Sequence, residues 1–168
     1  MPAAVALIGF MGAGKSHVGM LAAALLRVSF TDTDALIAEQ LGPIEELFAA
    51  QGEPYFRAAE RDVCVSVLAK LPHLCGVVSL GGGAVMDADV RAVLRQLPCV
   101  VWLTAPADVL YARAAASARP LARDAGVFGR LLEQRLPVYR ELATHTVVND
   151  GSRTADEVAA EVATVAGG

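Results

Sequence analysis

The sequence predicts an α/β three-layer sandwich, with a parallel sheet of five buried strands covered by helices on both faces. Three observations carry this prediction. Apolar runs of strand length alternate with segments of helical length along the chain. The runs are continuously apolar, as strands covered on both faces require, where a half-solvated strand would alternate. No internal repeat, low-complexity tract or linker interrupts them, so the 168 residues are expected to form a single domain spanning 1–168.

The first strand, expected over residues 4–10, runs into Gly9-Phe10-Met11-Gly12-Ala13-Gly14-Lys15-Ser16, a match to GxxxxGK[ST] between an apolar strand and a helix beginning near Lys15. Glycines let successive backbone amides curl toward phosphate oxygens, and the helix N-terminus adds positive potential. Lys15 can reach the β and γ phosphates, and Ser16 can bind magnesium. Chance would produce this pattern in a chain of this size with a probability on the order of 1 in 200, before the flanking strand and helix are required. A nucleotide is the expected ligand.

The second strand, expected over 28–31, ends in Thr31-Asp32-Thr33-Asp34. In an extended segment the carboxylates of Asp32 and Asp34 face the same side. One can then serve a metal while the other meets an acceptor hydroxyl. A helix N-cap with an acidic first turn, ahead of a helix over 35–40, accounts for the same residues. Next, Gly52-Glu53-Pro54 opens a helix whose apolar face is read as Phe56, Ala59, Val63 and Val67. Arg57 and Glu60 are three apart on it. Glu60 can hold Arg57 ready to bind a ligand carboxylate bidentately, and a plain surface ion pair explains the same spacing.

The third strand, 75–80, leads into Gly81-Gly82-Gly83, at the sheet edge where open α/β sheets bind ligands. Close approach of backbone to substrate and a flexible turn are both open readings. No acidic residue ends this strand, which leaves Asp32 for the metal and Ser79 for one of its waters. The fourth strand, 99–104, is followed by an alanine-rich helical stretch over 112–118. Arg119-Pro120-Leu121-Ala122-Arg123-Asp124-Ala125-Gly126 then reads as an exposed loop. A helix over 128–142 carries Arg135, and Pro137 is expected to interrupt and bend it, aiming Arg135 inward. The fifth strand is expected over 146–148.

Composition excludes several functions. A net charge of −4 gives no field to attract nucleic acid or an anionic membrane. The longest apolar run, 18–26, falls short of the roughly 20 residues that span a bilayer. No charged n-region or cleavage site precedes the first strand, so a cytoplasmic location is expected. Cys64, Cys75 and Cys99 form no CxxC pair and read as core thiols; His17, His73 and His145 show no metal-ligand spacing. Of the 14 basic residues only Lys15 and Lys70 are lysine, so a lone arginine carries little information, whereas the lysine in the glycine-rich motif does.

In order, GFMGAGKS, DTD, Gly52-Glu53 with Phe56-Arg57 and Glu60, LGGGAV, RPL and RLPVYR give the chain a resemblance to the shikimate kinases over roughly residues 4 to 150. The resemblance implies a nucleoside-monophosphate-kinase-like P-loop fold with a lid at about 113–127 and a substrate-binding region at about 33–61. It implies ATP and Mg2+ as cofactors, shikimate as the substrate and a monomer as the working form. Carried over residue by residue, Gly12, Ala13, Gly14, Lys15, Ser16 and His17 would hold ATP together with Arg113, Arg119 and Arg153, with Arg113 stacking on adenine. Ser16 and Asp32 would position magnesium. Asp34, Arg57, Gly81, Gly82, Gly83 and Arg135 would bind shikimate, its carboxylate between the two arginines. Asp34 would orient or deprotonate the attacked hydroxyl, and Arg119 would close onto the phosphates from the lid. His17 stands where the family usually has threonine. A gluconate kinase is the nearest alternative; a GTPase-like switch lacks support because neither NKxD nor DxxG occurs.

Overall fold

A computed structural model describes residues 3–117 and 124–168 of the chain. The five strands are β1 (Ala4–Ile8), β2 (Ser29–Asp32), β3 (Gly76–Ser79), β4 (Cys99–Thr104) and β5 (His145–Val148). All pair in parallel, in the order β2-β3-β1-β4-β5. Every residue of β1 is buried, as the continuous apolar run requires of a central strand. The chain fills the β2 and β3 side of β1 before crossing to β4 and β5. That reversal opens a crevice at the carboxyl ends of the strands.

Helices α1 (Lys15–Leu26) and α8 (Ala155–Gly167) pack together on one face of the sheet. On the other lie α4 (Glu53–Leu74), α5 (Ala88–Leu94) and α7 (Ala125–Leu142). Close approach of α1 depends on Gly19, where a Cβ would come within 2.6 Å of the Phe30 ring and 2.9 Å of Leu7. The remaining helices are α2 (Thr33–Leu41), α3 (Ile44–Gln51) and α6 (Ala107–Ala115), with a short 3-10 helix at Ala84–Met86. Between α2, α3 and α4 lies a second, smaller apolar cluster of Ile37, Leu47 and Phe56, separate from the main core. This region is therefore a small packed unit placed beside the strand ends.

Three expectations need correction. The second strand ends at Asp32, so Asp32 and Asp34 do not share one face of an extended segment: Asp32 caps α2, and Asp34 lies in its first turn. The buried row of α4 is Phe56, Glu60, Cys64 and Leu68 at i, i+4 spacing with Leu71 three further on, and Ala59, Val63 and Val67 flank it half-buried. Glu60 therefore points inward. Finally, α7 starts at Ala125 and runs unbroken through Pro137. Arg135 is buried by helical phase, in the row Phe128, Leu132, Arg135, Tyr139, Leu142, without any interruption of the helix to redirect it.

Candidate active site

The glycine-rich loop is fixed from beneath. Gly9, Gly12 and Gly14 have φ of 149°, 83° and 87°, in the region that glycine adopts without strain. At Gly9 and Gly12 a Cβ would also lie 2.3 Å and 2.5 Å from the carbonyl oxygens of Leu103 and Leu110. Lys15 is buried, and its ammonium donates to the Phe10 carbonyl at 3.2 Å, which keeps the charge over the loop. Asn149, just past β5, donates from Nδ2 to the Ala13 carbonyl at 2.9 Å. Arg113 donates to the carbonyls of Gly12 (3.2 Å) and Asn149 (2.7 Å). Three loop carbonyls, those of Phe10, Gly12 and Ala13, are thus tied on the protein side. This leaves a cleft of about 300 Å³, lined in part by Gly14, Lys15, Ser16, His17, Asp32 and Arg113.

Asp32 joins two elements. One carboxylate oxygen accepts the Ala35 N–H at 3.1 Å and caps α2; the other accepts the Ser16 hydroxyl. A serine hydroxyl and a carboxylate held oxygen to oxygen beside the loop are hard donors suited to Mg2+. The buried Ser79, opposite Asp32 in the β2–β3 register, lines the same cleft. The described residues contain no cluster of three or more His, Cys, Asp or Glu side chains fit to bind a metal.

The triple glycine is decided by its neighbours. None of Gly81, Gly82 and Gly83 has a positive φ, so the backbone conformation does not itself require glycine here. At Gly81 a Cβ would lie 2.6 Å from Asp34 Oδ1 and 2.9 Å from Glu60 Oε2; at Gly83 it would lie 2.5 Å from the Arg57 guanidinium; at Gly82, 3.5 Å from that of Arg135. Four charged side chains converge on one bare backbone strap. Gly81 N–H donates to Thr33 Oγ1 at 3.2 Å, which ties the strap to the start of α2.

The two arginines differ electrostatically. Arg57 pairs with Glu60 at 2.6 Å and Glu53 at 3.4 Å. Burial works against its charge, but these carboxylates hold its pKa above the ordinary value. Burial pushes Glu60 above the usual carboxylate range, and Arg57 opposes that shift. Arg135 is only 6% exposed, and burial lowers its pKa. Among the described residues no carboxylate lies within 4 Å of it. Its guanidinium lies over the Phe10 ring, 5.3 Å from the centroid.

The structure thus brings Lys15, Ser16, Asp32, Asp34, Gly81, Gly82 and Arg113 to one cleft, with Arg57, Gly83 and Arg135 against the glycine strap beside it. Arg153 instead directs its guanidinium to Glu161 (2.5 Å) and the Val148 carbonyl (2.7 Å), on the outside of the β5–α8 turn. Arg119 and residues 118–123 of the expected lid lie outside the described residues. Sequence reasoning missed Asn149 and Tyr139. Asn149 reads locally as the start of the Asn149-Asp150-Gly151 turn and carries no motif; Tyr139 falls within RLPVYR, but nothing in that motif assigns its hydroxyl a partner.

A profile of the shikimate kinase family matches residues 11–166. The chain is 42% identical to the shikimate kinase of Saccharopolyspora erythraea over 89% of its own length and 86% of that protein's. It is 40% identical to the shikimate kinase of Deinococcus radiodurans, covering 94% of this chain and 80% of the other. Among solved structures, the shikimate kinase of Acinetobacter baumannii in complex with shikimate is similar with a TM-score of 0.89 at 31% identity, over 98% of this chain and 93% of that one. A gluconokinase from Sinorhizobium meliloti is similar with a TM-score of 0.60 at 21% identity, a likeness of fold alone.

Proposed function

This chain belongs to the shikimate kinase family, and from that premise we propose how its crevice transfers the γ-phosphoryl group of ATP to the 3-hydroxyl of shikimate. One observation carries the residue assignment: Asp34, Arg135 and Arg57 lie against Gly81, Gly82 and Gly83 in turn, so one strap registers the acceptor groups relative to each other. Arg135, buried with no carboxylate within 4 Å among the described residues, and Arg57, pre-oriented by Glu60, take the shikimate carboxylate between them. That leaves the ring hydroxyls facing Asp34. Asp34 accepts the hydrogen bond, and then the proton, of the attacking 3-hydroxyl.

ATP phosphates bind the amides of Gly12 to Ser16, with Lys15 following the transferred group. Ser16 and Asp32 would hold Mg2+, which supplies charge neutralisation at the β and γ phosphates. Arg113, its guanidinium plane fixed by two carbonyls, offers a face to the adenine, and His17 flanks the phosphates. Phosphoryl transfer proceeds through a loose transition state, so positioning and fixed charge supply most of the catalysis. Arg119 completes the cation set in this reading. The tie of Arg153 to Glu161 keeps it at the rim, so the reading gives it a secondary part.

The test is ADP release with Mg-ATP in the presence of shikimate or gluconate, for the wild-type protein and Arg135→Ala. Shikimate alone should support turnover, and Arg135→Ala should raise KM for shikimate roughly 10- to 100-fold, as expected for loss of charge-assisted hydrogen bonds. KM for ATP should stay unchanged. Turnover with gluconate, or an unaltered shikimate KM, refutes the clamp.

A further inference from the structure

Tyr139 is fully buried on α7, one turn beyond Arg135, with its ring stacked on Trp102 at a centroid distance of 6.0 Å. A tyrosine in such a place serves packing alone unless its hydroxyl has work to do. Here the hydroxyl donates to the Gly82 carbonyl at 2.6 Å, a short bond from a helix to the middle of the triple-glycine strap. The Arg135 guanidinium lies beside the same glycine, 3.5 Å from where a Cβ on Gly82 would sit, and its charge interacts with the phenol. Burial pushes the phenol well above its ordinary pKa, so it stays an O–H donor at any working pH.

This one hydroxyl therefore ties α7 to the strap directly beside the arginine. The guanidinium is packed between the strap at Gly82 and the Phe10 ring. The Gly82 carbonyl cannot turn toward the crevice, and because the peptide is planar and trans, the Gly83 N–H points the opposite way from Tyr139. We propose that Tyr139 is a positioning residue for the acceptor site, setting the distance and angle between Arg135 and the glycine strap on which Asp34 and Arg57 are also registered. Tyr139 itself touches no substrate. This inference rests on the reading of Arg135 as a ligand for the shikimate carboxylate.

Tyr139→Phe keeps the ring and its stacking on Trp102 and removes only the hydroxyl. The variant should raise KM for shikimate roughly 5- to 20-fold while kcat and KM for ATP stay within about twofold. In an Arg135→Lys background, adding Tyr139→Phe should change KM for shikimate by less than about twofold, because the partner it positions is already altered. Should the variant be poorly stable, calorimetric titration of shikimate at 10 °C makes the same comparison as a ratio of Kd values. A lower Tm with unchanged KM for shikimate, or equal losses for both substrates, overturns the proposal and leaves Tyr139 a packing residue. If Arg135→Ala weakens shikimate binding and Tyr139→Phe does not, only the role of Tyr139 falls; if Arg135→Ala has no effect, the carboxylate clamp falls with it.

Discussion

Adding a single methyl group at Gly81 tests the crevice most directly. Its backbone lies outside the positive-φ region, so alanine is acceptable there on conformational grounds. The obstacle is space: the new Cβ would sit 2.6 Å from Asp34 Oδ1 and 2.9 Å from Glu60 Oε2, where 3.4 Å is ordinary contact. The strap cannot retreat, because Gly81 N–H is bonded to Thr33 and its carbonyl accepts from Ala84 N–H at 3.1 Å. Glu60, 3% exposed and ion-paired to Arg57, can yield only the few tenths of an ångström its own contact demands. The half-buried Asp34 at the cleft must therefore move, by about 0.8 Å. If Asp34 holds the attacking hydroxyl as proposed, a displacement of that size is expected to cut kcat roughly 100-fold. Overpacking of about 1–3 kcal/mol should lower Tm by roughly 2–12 °C. The assays are steady-state ADP release and thermal unfolding of Gly81→Ala. A kcat within about threefold of wild type, or a loss no larger than the unfolded fraction explains, would refute the assignment of glycine to a steric requirement of Asp34.

Asp32 caps a helix and faces Ser16, and two substitutions separate these tasks. Asp32→Asn should keep the cap and stability within about 0.5 kcal/mol, whereas Asp32→Ala should lose about 1 kcal/mol in denaturant unfolding. Both should raise the Mg2+ concentration needed for half-maximal turnover, and an unchanged Mg2+ dependence would remove Asp32 from the metal site. Cys64 makes a pH prediction. Burial raises its thiol from the ordinary 9.0 to about 12. Between those values the unfolded chain has lost a proton that the folded protein keeps, so stability falls as pH rises through that window. Urea unfolding of Cys64→Ala between pH 9 and pH 11 should show a shallower decline than wild type; parallel curves would contradict it.

Much of this architecture is legible in local sequence. The five apolar runs, the strand-loop-helix context of Lys15 and the punctuating glycines each depend on a few adjacent residues, and all five strands appear in the structure within two residues of either expected end. The errors arise where a residue answers to a partner distant in sequence. Asp32 and Asp34 part company because the hydrogen bond from Ala35 N–H starts α2 at Thr33, and an alternation argument cannot see where a strand stops. Glu60 is buried against hydropathy because Arg57 and the bare strap receive it. Pro137 leaves α7 intact because the buried row on both sides of it packs as one face.

The sequence alone determined the fold class, the nucleotide loop and the family, since these follow from chemistry repeated at fixed short spacings. It also supplied the acceptor residues as candidates, through order and resemblance. Only the tertiary structure decided why there are three glycines, that Arg135 is buried without a carboxylate within 4 Å among the described residues, and that Asn149 and Tyr139 tie the loop and the strap in place. The physical reason is one of range. Backbone geometry and hydrophobic periodicity are written over a few neighbouring residues, whereas excluded volume and the desolvation of charge depend on groups that only folding brings together.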